Sequence, residues 1–363
     1  MLDRMGNLSL KPEFRQDMNQ VIGFHPTLTD CATPLRVSVV VPIYNGADDL
    51  DDLLNCLQLQ TYPTNQVEYL LVDNGSTDQT ACQLQAWASR FSSTTGEPLT
   101  LHILSEPHIQ SSYAARNRGI CAAAGEILAF TDADCRPQPD WLACLVKPFA
   151  NPQVAIVAGE VLSLPGNTLL ERYADRHEIL SQRHTLAHPF YPYGQTANLA
   201  IRRQALEQVG LFRPYLTTGG DADLCWRIQQ EKVGEIAFAE QAIVRHRHRS
   251  TLAALRSQWQ RYGRSNRYLH QLHSVELGKA LTQHDLIYRW GRWFFKEIPA
   301  VLLQPDPGEK LIDRLIDTPL GLFCQSARIR GQQQATLPAQ ARQIEWLPTS
   351  VSSNSNGAFL RYE

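Results

Sequence analysis

Asp132 and Asp134 are the residues of this chain whose type and spacing indicate chemistry most directly. They follow the short apolar run 127–130 and stand two positions apart. Such a run predicts a buried strand, and ligands usually bind at the carboxyl ends of strands in an open α/β sheet. Burying two carboxylates there is unfavourable unless a cation lies between them. The pair predicts a divalent-metal site completed by a diphosphate, and the alternative is a solvated acidic loop.

Apolar runs alternate with helical patterns on the way to this pair. The helical pattern around Leu50–Leu57 repeats its leucines at i, i+3, i+4 and i+7, as expected of an amphipathic helix. Alternation of this kind predicts an α/β protein with a doubly wound, mostly parallel sheet and helices on both faces. The predicted strands are 36–41, 67–72, 99–104 and 127–130, and helices are predicted to end near Trp87 and to span about 111–124.

Composition narrows the class of protein. The chain has 363 residues, is 43% hydrophobic and carries a formal net charge of −2, which is ordinary for a globular protein. Its 8 cysteines form no C-x-x-C motif, so neither a zinc site nor a disulfide framework is indicated. A reducing, cytoplasmic compartment fits this cysteine usage. The sequence shows neither a signal-peptide pattern nor an apolar run of membrane-spanning length, so we expect neither secretion by a signal nor a membrane span.

Several motifs together resemble the family 2 glycosyltransferases, whose catalytic domain has the GT-A fold. The resemblance extends from residue 36 to about residue 250 and depends on the order of the motifs as much as on any one of them. The motifs are VVVPIYN at 39–45, VDNGSTD at 72–78, ARNRG at 115–119, DAD at 132–134 and GGDADLCWR at 219–227.

The resemblance implies a binding site for a nucleotide-sugar donor, a UDP- or GDP-sugar. Asp132 and Asp134 would meet the ribose and a diphosphate bridged by Mn²⁺ or Mg²⁺. For Asp73 the alternative role is to initiate a turn, and for Arg116 it is a surface position on a helix. The nucleoside would contact Pro42, Tyr44, Asn45 and Asp73, and the rest of the donor would contact Asn74, Ser76, Arg116, Asn117 and Ala133.

The second half of the motif region implies an acceptor site with a hydroxyl-bearing saccharide or lipid-linked saccharide. Gln195 and Asn198 match the stretch that lines the transferred sugar, or else cap an ordinary loop. The family uses a Glu-Asp pair where this chain has Gly220 and Asp221. The resemblance makes Asp221 the general base that deprotonates the acceptor in an inverting displacement. Asp223 is the alternative base, or else a helix cap or salt-bridge residue.

Two weaker matches follow in a basic stretch. His246 resembles a late histidine of the family that approaches the metal or the diphosphate. Arg261 lies in the segment 258–262, which resembles the Q-x-x-R-W element of processive sugar polymerases with Tyr in place of Trp, and the resemblance implies a substrate contact for it. A solvated basic face is the common explanation of such a stretch.

Residues 286–303 combine aromatic and basic side chains. Ile287, Trp290 and Phe294 share one helical face, and Arg289, Arg292 and Lys296 are close in sequence. This pattern fits an interfacial helix on an anionic membrane surface and equally a helix packed on the catalytic domain. We predict an N-terminal arm at 1–33, a GT-A catalytic domain at 34–250, a helical extension at 251–330 and a flexible tail at 331–363.

These observations predict a metal-dependent, inverting glycosyltransferase of polysaccharide or glycoconjugate biosynthesis. We expect it in the cytoplasm or at the inner face of the cell membrane, without a nucleic-acid partner. A sugar-phosphate nucleotidyltransferase is the alternative enzyme, although the glycine-rich loop of that class is missing after the first predicted strand. A nucleotide-sugar-binding scaffold without catalysis is the alternative outside the enzymes, because Gly220 replaces the family's Glu.

Overall fold

The computed structural model describes residues 34–93, 99–303 and 308–348. The predicted arm at 1–33 and the last part of the predicted tail, 349–363, lie outside the described residues.

An eight-stranded sheet organises the chain, with the strand order β3-β2-β1-β4-β7-β6-β8-β5. The pairs β1–β2, β2–β3 and β1–β4 are parallel, and β7 runs antiparallel to both β4 and β6. The strands are β1 Val37–Ile43, β2 Val67–Asp73, β3 Thr100–Ser105, β4 Ile127–Phe130, β5 Cys135–Pro137, β6 Val154–Ser163, β7 Leu199–Arg202 and β8 Glu235–His246.

Helices connect the strands and continue past the sheet. Short 3₁₀ turns occupy Thr64–Gln66, Lys147–Ala150 and Ala339–Arg342, and a π-helical turn occupies Trp293–Glu297. The α-helices are α1 Ala47–Gln58, α2 Thr80–Ser93, α3 Ser112–Ala122, α4 Trp141–Val146, α5 Leu169–Arg176, α6 Arg183–Leu186, α7 Arg203–Val209, α8 Gly220–Gln230, α9 Leu252–His273, α10 Gln283–Arg292, α11 Ile298–Leu302, α12 Gly308–Leu315 and α13 Asp317–Gln334.

Both faces of the parallel strands are covered, as the predicted fold class requires. On one face, the leucines of α1 pack with Val39 and Val41 of β1 in the main core cluster. On the other face, a Cβ at Gly119 of α3 would lie 2.4 Å from Val40 Cγ1, so only glycine lets this helix approach β1 so closely. The α/β prediction with helices on both faces is confirmed, and the antiparallel pairs around β7 make the sheet mixed.

The described residues fall into two compact units. The first takes in the described parts of Met1–Leu162, Ser181–Arg245 and Gln343–Glu363, and the second comprises Ser163–Leu180 and His246–Arg342. The domain boundaries predicted from the sequence stay a prediction.

The second unit is helical, and its centre is a close crossing of α9 and α13. A Cβ at Gly263 would lie 1.8 Å from the carbonyl oxygen of Arg328, and one at Gly331 would lie 2.0 Å from that of Gln260. Tyr173 and Cys324 belong to the buried apolar cluster of this unit. Within the described residues, the helices all fall short of the length and apolar character that a bilayer crossing demands.

Candidate active site

The loops after β1 and β2 are bonded to each other at the carboxyl edge of the sheet. The backbone N–H of Asn45 donates to Ser76 Oγ at 2.9 Å, and Asn45 Oδ1 accepts from the N–H of Thr77 at 2.8 Å. Asn45 has a φ of 49°, a left-handed conformation that asparagine adopts more readily than most residues. The predicted substrate contacts Asn45 and Ser76 therefore also hold these two loops together.

The remaining predicted nucleoside residues line the same edge. Pro42 is buried within β1, and Tyr44 is 53% exposed just beyond it. Asp73 ends β2 opposite Ile43, and its Oδ1 accepts from the N–H of Ser76 at 3.1 Å. This contact is the turn-initiating role that the sequence left open for Asp73, and it links Asp73 through Ser76 to Asn45.

Asn74 is buried and anchors the next loop. Its side-chain amide donates to the carbonyl oxygens of Glu106 at 2.7 Å and Ile109 at 2.9 Å, and its Oδ1 accepts from Gln110 at 3.3 Å. Because these bonds use the amide, the role visible for Asn74 is structural.

Arg116 of α3 is the central cation of the site. Its Nη2 donates to Asp132 Oδ1 at 2.5 Å, and its side chain is only 3% exposed. Its Nε is buried and meets no hydrogen-bond acceptor among the described residues. The guanidinium carbon also lies 5.5 Å from the ring centroid of Tyr113, close enough for a cation–π interaction. Arg116 is thus a buried residue beside the acidic pair rather than a surface arginine.

The acidic pair stands directly after β4, as predicted. Asp132, Ala133 and Asp134 are all partly exposed, and the carbonyl oxygen of Asp132 accepts from the N–H of Cys135 at 3.1 Å to close the turn. Carboxylate oxygens are hard ligands that suit Mg²⁺ and Mn²⁺. The donor set therefore fits a divalent cation, and the buried Arg116 with its unused N–H fits an anion beside it.

Asn117, the residue after Arg116, binds protein groups. Its amide donates to the carbonyl oxygen of Phe212 at 2.8 Å and to Glu345 Oε2 at 2.7 Å, and its Oδ1 accepts from the N–H of Phe212 at 3.1 Å. Burial raises the pKa of Glu345 above its usual value, and the bond from Asn117 opposes the rise. Asn117 therefore fixes the loop that leads to α8.

That loop also meets the start of α3. Ser111 Oγ caps α3 by accepting from the N–H of Tyr113 at 3.2 Å, and it donates to the carbonyl oxygen of Leu216 at 2.8 Å. The rings of Tyr113 and Phe212 stack with centroids 5.4 Å apart. These contacts place the N-terminus of α8 beside Arg116.

Asp221 lies in the first turn of α8, after Gly219, whose φ of 82° suits glycine. Asp221 is partly exposed, and its Oδ1 accepts from the hydroxyl of Thr196 at 3.0 Å. Burial raises the pKa of Asp221 above its ordinary value; the charge of Asp132 adds to the rise, while Arg116 and the Thr196 bond oppose it. Asp132, Arg116 and Asp221 thus form one electrostatic group.

Tyr113 fills the space where the family's Glu would stand. A Cβ at Gly220 would lie 2.7 to 2.9 Å from atoms of the Tyr113 ring. The backbone of Gly220 and of Asp221 hydrogen-bonds the phenol oxygen, and burial raises the pKa of Tyr113 far above its ordinary value. The buried ring of Tyr113 packs against the first turn of α8 and leaves no room for a side chain at position 220, where the family has Glu.

Asp223 is completely buried between two arginines. Its Oδ1 accepts from Arg213 at 3.0 Å and its Oδ2 from Arg227 at 3.1 Å. Arg227 in turn donates to the carbonyl oxygens of Val209 and Leu211. This geometry matches the salt-bridge role that the sequence offered as the alternative to a base.

The stretch that carries Gln195 and Asn198 is fixed from several sides. The side chain of Asn198 is fully buried; it accepts from Trp141 Nε1 at 2.8 Å and donates to the carbonyl oxygens of Glu160 at 2.8 Å and Ala242 at 2.7 Å. Gln195 is partly exposed, and its backbone N–H donates to Gln182 Oε1 at 2.5 Å. Asn198 thus braces the loop, and Thr196 between the two is the residue that reaches Asp221.

Two predicted site residues belong to the second unit. His246 is buried at the end of β8, and its Nδ1 lies 2.8 Å from the carbonyl oxygen of Arg247. Arg261 is exposed on α9. The metal approach of His246 and the substrate contact of Arg261 stay predictions.

The sequence reasoning missed Tyr113 and Thr196. Tyr113 stands two positions before the ARNRG motif, and Thr196 lies between Gln195 and Asn198. A bulky aromatic residue near the motif and a Gly in place of the family's Glu are the signals from which the packing of Tyr113 against Gly220 could have been suspected.

Comparison with known protein families gives two overlapping matches. Residues 38–214 match the family described as glycosyl transferase family 2, and residues 127–302 match glycosyl transferase family group 2.

Individual relatives agree with these families. The chain is 35% identical over 254 residues to the glycosyltransferase AglE of Haloferax volcanii, covering 68% of this chain and 78% of AglE. It is 30% identical over 256 residues to the pre-mycofactocin glycosyltransferase of Mycobacterium tuberculosis, of which it spans only 51%.

A solved structure shares the fold. The mannosyltransferase PcManGT from Pyrobaculum calidifontis, in complex with GDP-Man and Mn²⁺, superposes with a TM-score of 0.58. The match covers 89% of this chain and 94% of PcManGT at 22% sequence identity. The predicted GT-A fold is confirmed by this likeness.

Proposed function

This chain belongs to glycosyltransferase family 2, and from that premise we propose that it is a metal-dependent, inverting enzyme that moves a sugar from a UDP- or GDP-sugar to a hydroxyl acceptor. One observation carries the proposal. Asp221, a carboxylate with a raised pKa, shares one electrostatic group with Arg116 and the strand-end acid Asp132. A base, a cation and an acidic metal-binding pair are the groups that such a displacement needs.

On the donor side, Asp132 and Asp134 would hold Mn²⁺ or Mg²⁺, and a bound cation would offset the charge of the leaving diphosphate. Arg116 adds a positive charge, and its buried side chain is held in position by Asp132. Its Nε–H, which has no acceptor among the described residues, suits a phosphate oxygen. The complex of PcManGT with GDP-Man and Mn²⁺ supports this assignment by analogy of fold.

For the nucleoside, the exposed ring of Tyr44 is available to cover a base, and Asp73 lies at the same edge to meet its polar groups. Pro42 is buried in β1 beneath this edge, and Asn45 holds the loops after β1 and β2 together through Ser76 and Thr77. Asn74, Asn117 and Asn198 would contribute by holding the surrounding loops, because their amides bind backbone carbonyls.

On the acceptor side, Asp221 would take the proton of the attacking hydroxyl. Its raised pKa makes it a stronger base than an ordinary aspartate, and a base works best when its pKa lies near the working pH. The Thr196 hydroxyl orients the carboxylate by donating to one of its oxygens. Asp223 does not suit this task, because it is fully buried and its two carboxylate oxygens accept from Arg213 and Arg227.

We propose a saccharide or lipid-linked saccharide as acceptor, within polysaccharide or glycoconjugate synthesis, and a place in the cytoplasm or on the inner face of the cell membrane. A scaffold without catalysis is disfavoured because Asp221 keeps its position although Gly220 replaces the family's Glu. The packing of Tyr113 against Gly220 accounts for that replacement in steric terms.

The test is donor binding followed by transfer. We expect calorimetry with UDP- and GDP-sugars to give tight binding of one donor only when Mn²⁺ or Mg²⁺ is present. With that donor and a panel of saccharide acceptors, NMR of the product should show the opposite anomeric configuration to the donor. Metal-independent binding would overturn the metal assignment, and retention of configuration would overturn the single displacement with Asp221 as base.

A further inference from the structure

The segment from α10 through the π-helical turn to α11 exposes an unusual amount of apolar surface. Ile287 is 72% exposed, Phe294 60% and Phe295 78%. Ile287, Trp290 and Phe294 follow the i, i+3, i+7 spacing of one helical face. We name this surface the aromatic face, and it consists of Ile287, Tyr288, Trp290, Phe294, Phe295 and Leu302.

The polar side of the same segment is turned inward. Arg289 donates to Gln325 Oε1 at 2.9 Å, and Trp293 Nε1 donates to the carbonyl oxygen of Leu315 at 2.8 Å. Glu297 accepts from Arg292 at 2.7 Å and from Thr318 at 2.7 Å. A surface helix in water normally buries its apolar stripe and exposes its polar face. Here the order is reversed, so the aromatic face is built for contact with an apolar phase.

The charged residues around the aromatic face indicate which kind of apolar surface it would contact. The stretch 283–303 contains the cations Arg289, Arg292 and Lys296 and the acids Asp285 and Glu297. Glu297 is paired with Arg292, and Asp285 keeps its negative charge while it hydrogen-bonds Thr282 in a capping box. Lys296 is exposed beside the two phenylalanines, and Arg289 hydrogen-bonds the neutral Gln325 and also interacts electrostatically with Asp285. The surplus is positive, which complements an anionic surface.

We propose that the aromatic face docks on an anionic lipid bilayer, with its rings at the level of the headgroups and Lys296 near lipid phosphates. Aromatic anchors with basic neighbours on a helix lying in the interface plane are typical of such attachment. The contacts of this helix within its own unit leave Phe294 and Phe295 exposed, so that unit does not cover the aromatic face. The inference deepens the proposed place on the inner face of the cell membrane. Because lipid binding needs neither nucleotide sugar nor metal, its failure would leave the proposed sugar transfer standing.

The experiment is co-sedimentation of the full chain with vesicles. We expect it to bind vesicles of phosphatidylcholine with phosphatidylglycerol, and to bind pure phosphatidylcholine less. The double variant Phe294→Ser/Phe295→Ser should lower the partition coefficient by at least about tenfold, because two large apolar side chains no longer enter the bilayer. Lys296→Gln should lower binding to the anionic vesicles by about fivefold and hardly change binding to neutral ones.

The matched control is Leu59→Ser/Leu252→Ser, which removes two apolar side chains that are also exposed but lie outside the aromatic face. Circular dichroism and thermal melting should show that both double variants fold like the wild type, as expected for exposed positions. Three results would overturn the proposal: a wild type that does not bind anionic vesicles, binding that the phenylalanine variant retains, or self-association in the absence of lipid that this variant abolishes. The last would make the aromatic face a contact between copies of the chain.

Discussion

Two aspartate pairs with the same spacing have different fates in this protein. Asp132 and Asp134 follow β4 and are both partly exposed at the edge of the sheet. Asp221 and Asp223 lie in the first turn of α8, where Asp221 reaches Thr196 and Asp223 is fully buried between Arg213 and Arg227. Both acids of the first pair are partly exposed, whereas the second pair is divided between a partly exposed acid and a buried one.

Backbone geometry explains the difference. Residues 132–135 form a turn, closed by the bond from the N–H of Cys135 to the carbonyl oxygen of Asp132, and this turn leaves both acids at the edge of the sheet. In an α-helix with 3.6 residues per turn, i and i+2 point to nearly opposite sides. The same D-x-D pattern therefore leaves both acids partly exposed in the turn after β4 but separates a partly exposed acid from a buried one at the start of α8.

The largest effect is expected at the strand pair. Asp134→Ala should abolish metal-dependent donor binding, because it removes a hard oxygen ligand and leaves the diphosphate charge uncompensated. Titration calorimetry with the donor and Mn²⁺ measures this, and Asp140→Ala, an exposed acid a few residues further on, is the control. Unchanged nucleotide affinity in the Asp134 variant would show that the two strand acids do not act jointly on a metal.

The structural acid of the helix pair should govern stability. Asp223→Asn leaves two arginines without a carboxylate in the interior, and removing one partner of a buried ion pair typically costs about 3–5 kcal/mol. Chemical denaturation should show this loss. The control Asp52→Asn breaks an ion pair whose acid is 65% exposed, and we expect at most about 1 kcal/mol there. Equal losses in the two variants would contradict the distinct role of Asp223.

A smaller effect is expected where Tyr113 meets Gly220. Gly220→Ala forces a methyl group against the buried ring and should lower the free energy of unfolding by about 1–3 kcal/mol. The cost should shrink when the ring is removed first, so a double-mutant cycle with Tyr113→Ala should give a clear coupling energy. Additive effects would mean that Tyr113 does not determine why glycine stands at this position.

Much of this arrangement could be predicted from local sequence. The apolar runs ending at Phe130 and Val72 predicted strands, and the motif order predicted the fold and the strand-end acids. If the helix had been predicted to begin at Gly220, helical geometry alone would have placed the side chains of Asp221 and Asp223 on different sides.

What could not be predicted depends on contacts between distant residues. Asn74, Asn117 and Asn198 were expected on the substrate, yet their amides bind backbone or side-chain groups up to 228 positions away along the chain. Local patterns contain no information on such partners, because an amide suits a ligand and a carbonyl oxygen equally well. The burial of Arg116 has the same origin, since packing of α3 against the sheet and the loop before α8 decides it.

The central claim is that Asp221 is the base, and a comparison of Asp221→Asn with the wild type tests it most directly. The amide keeps the shape but cannot take a proton, so kcat should fall by about 10²–10⁴ with donor affinity unchanged.

The pH dependence gives the deciding readout in the same experiment. Since the pKa of Asp221 is raised, the basic form is lost as the pH falls through that raised value, and the kcat/KM of the wild type should decline there, above the ordinary range of an aspartate. In Asp221→Asn the residual activity should lack this acid limb. Full activity in Asp221→Asn, or a folded Asp223→Asn that binds donor but has lost transfer, would contradict the account.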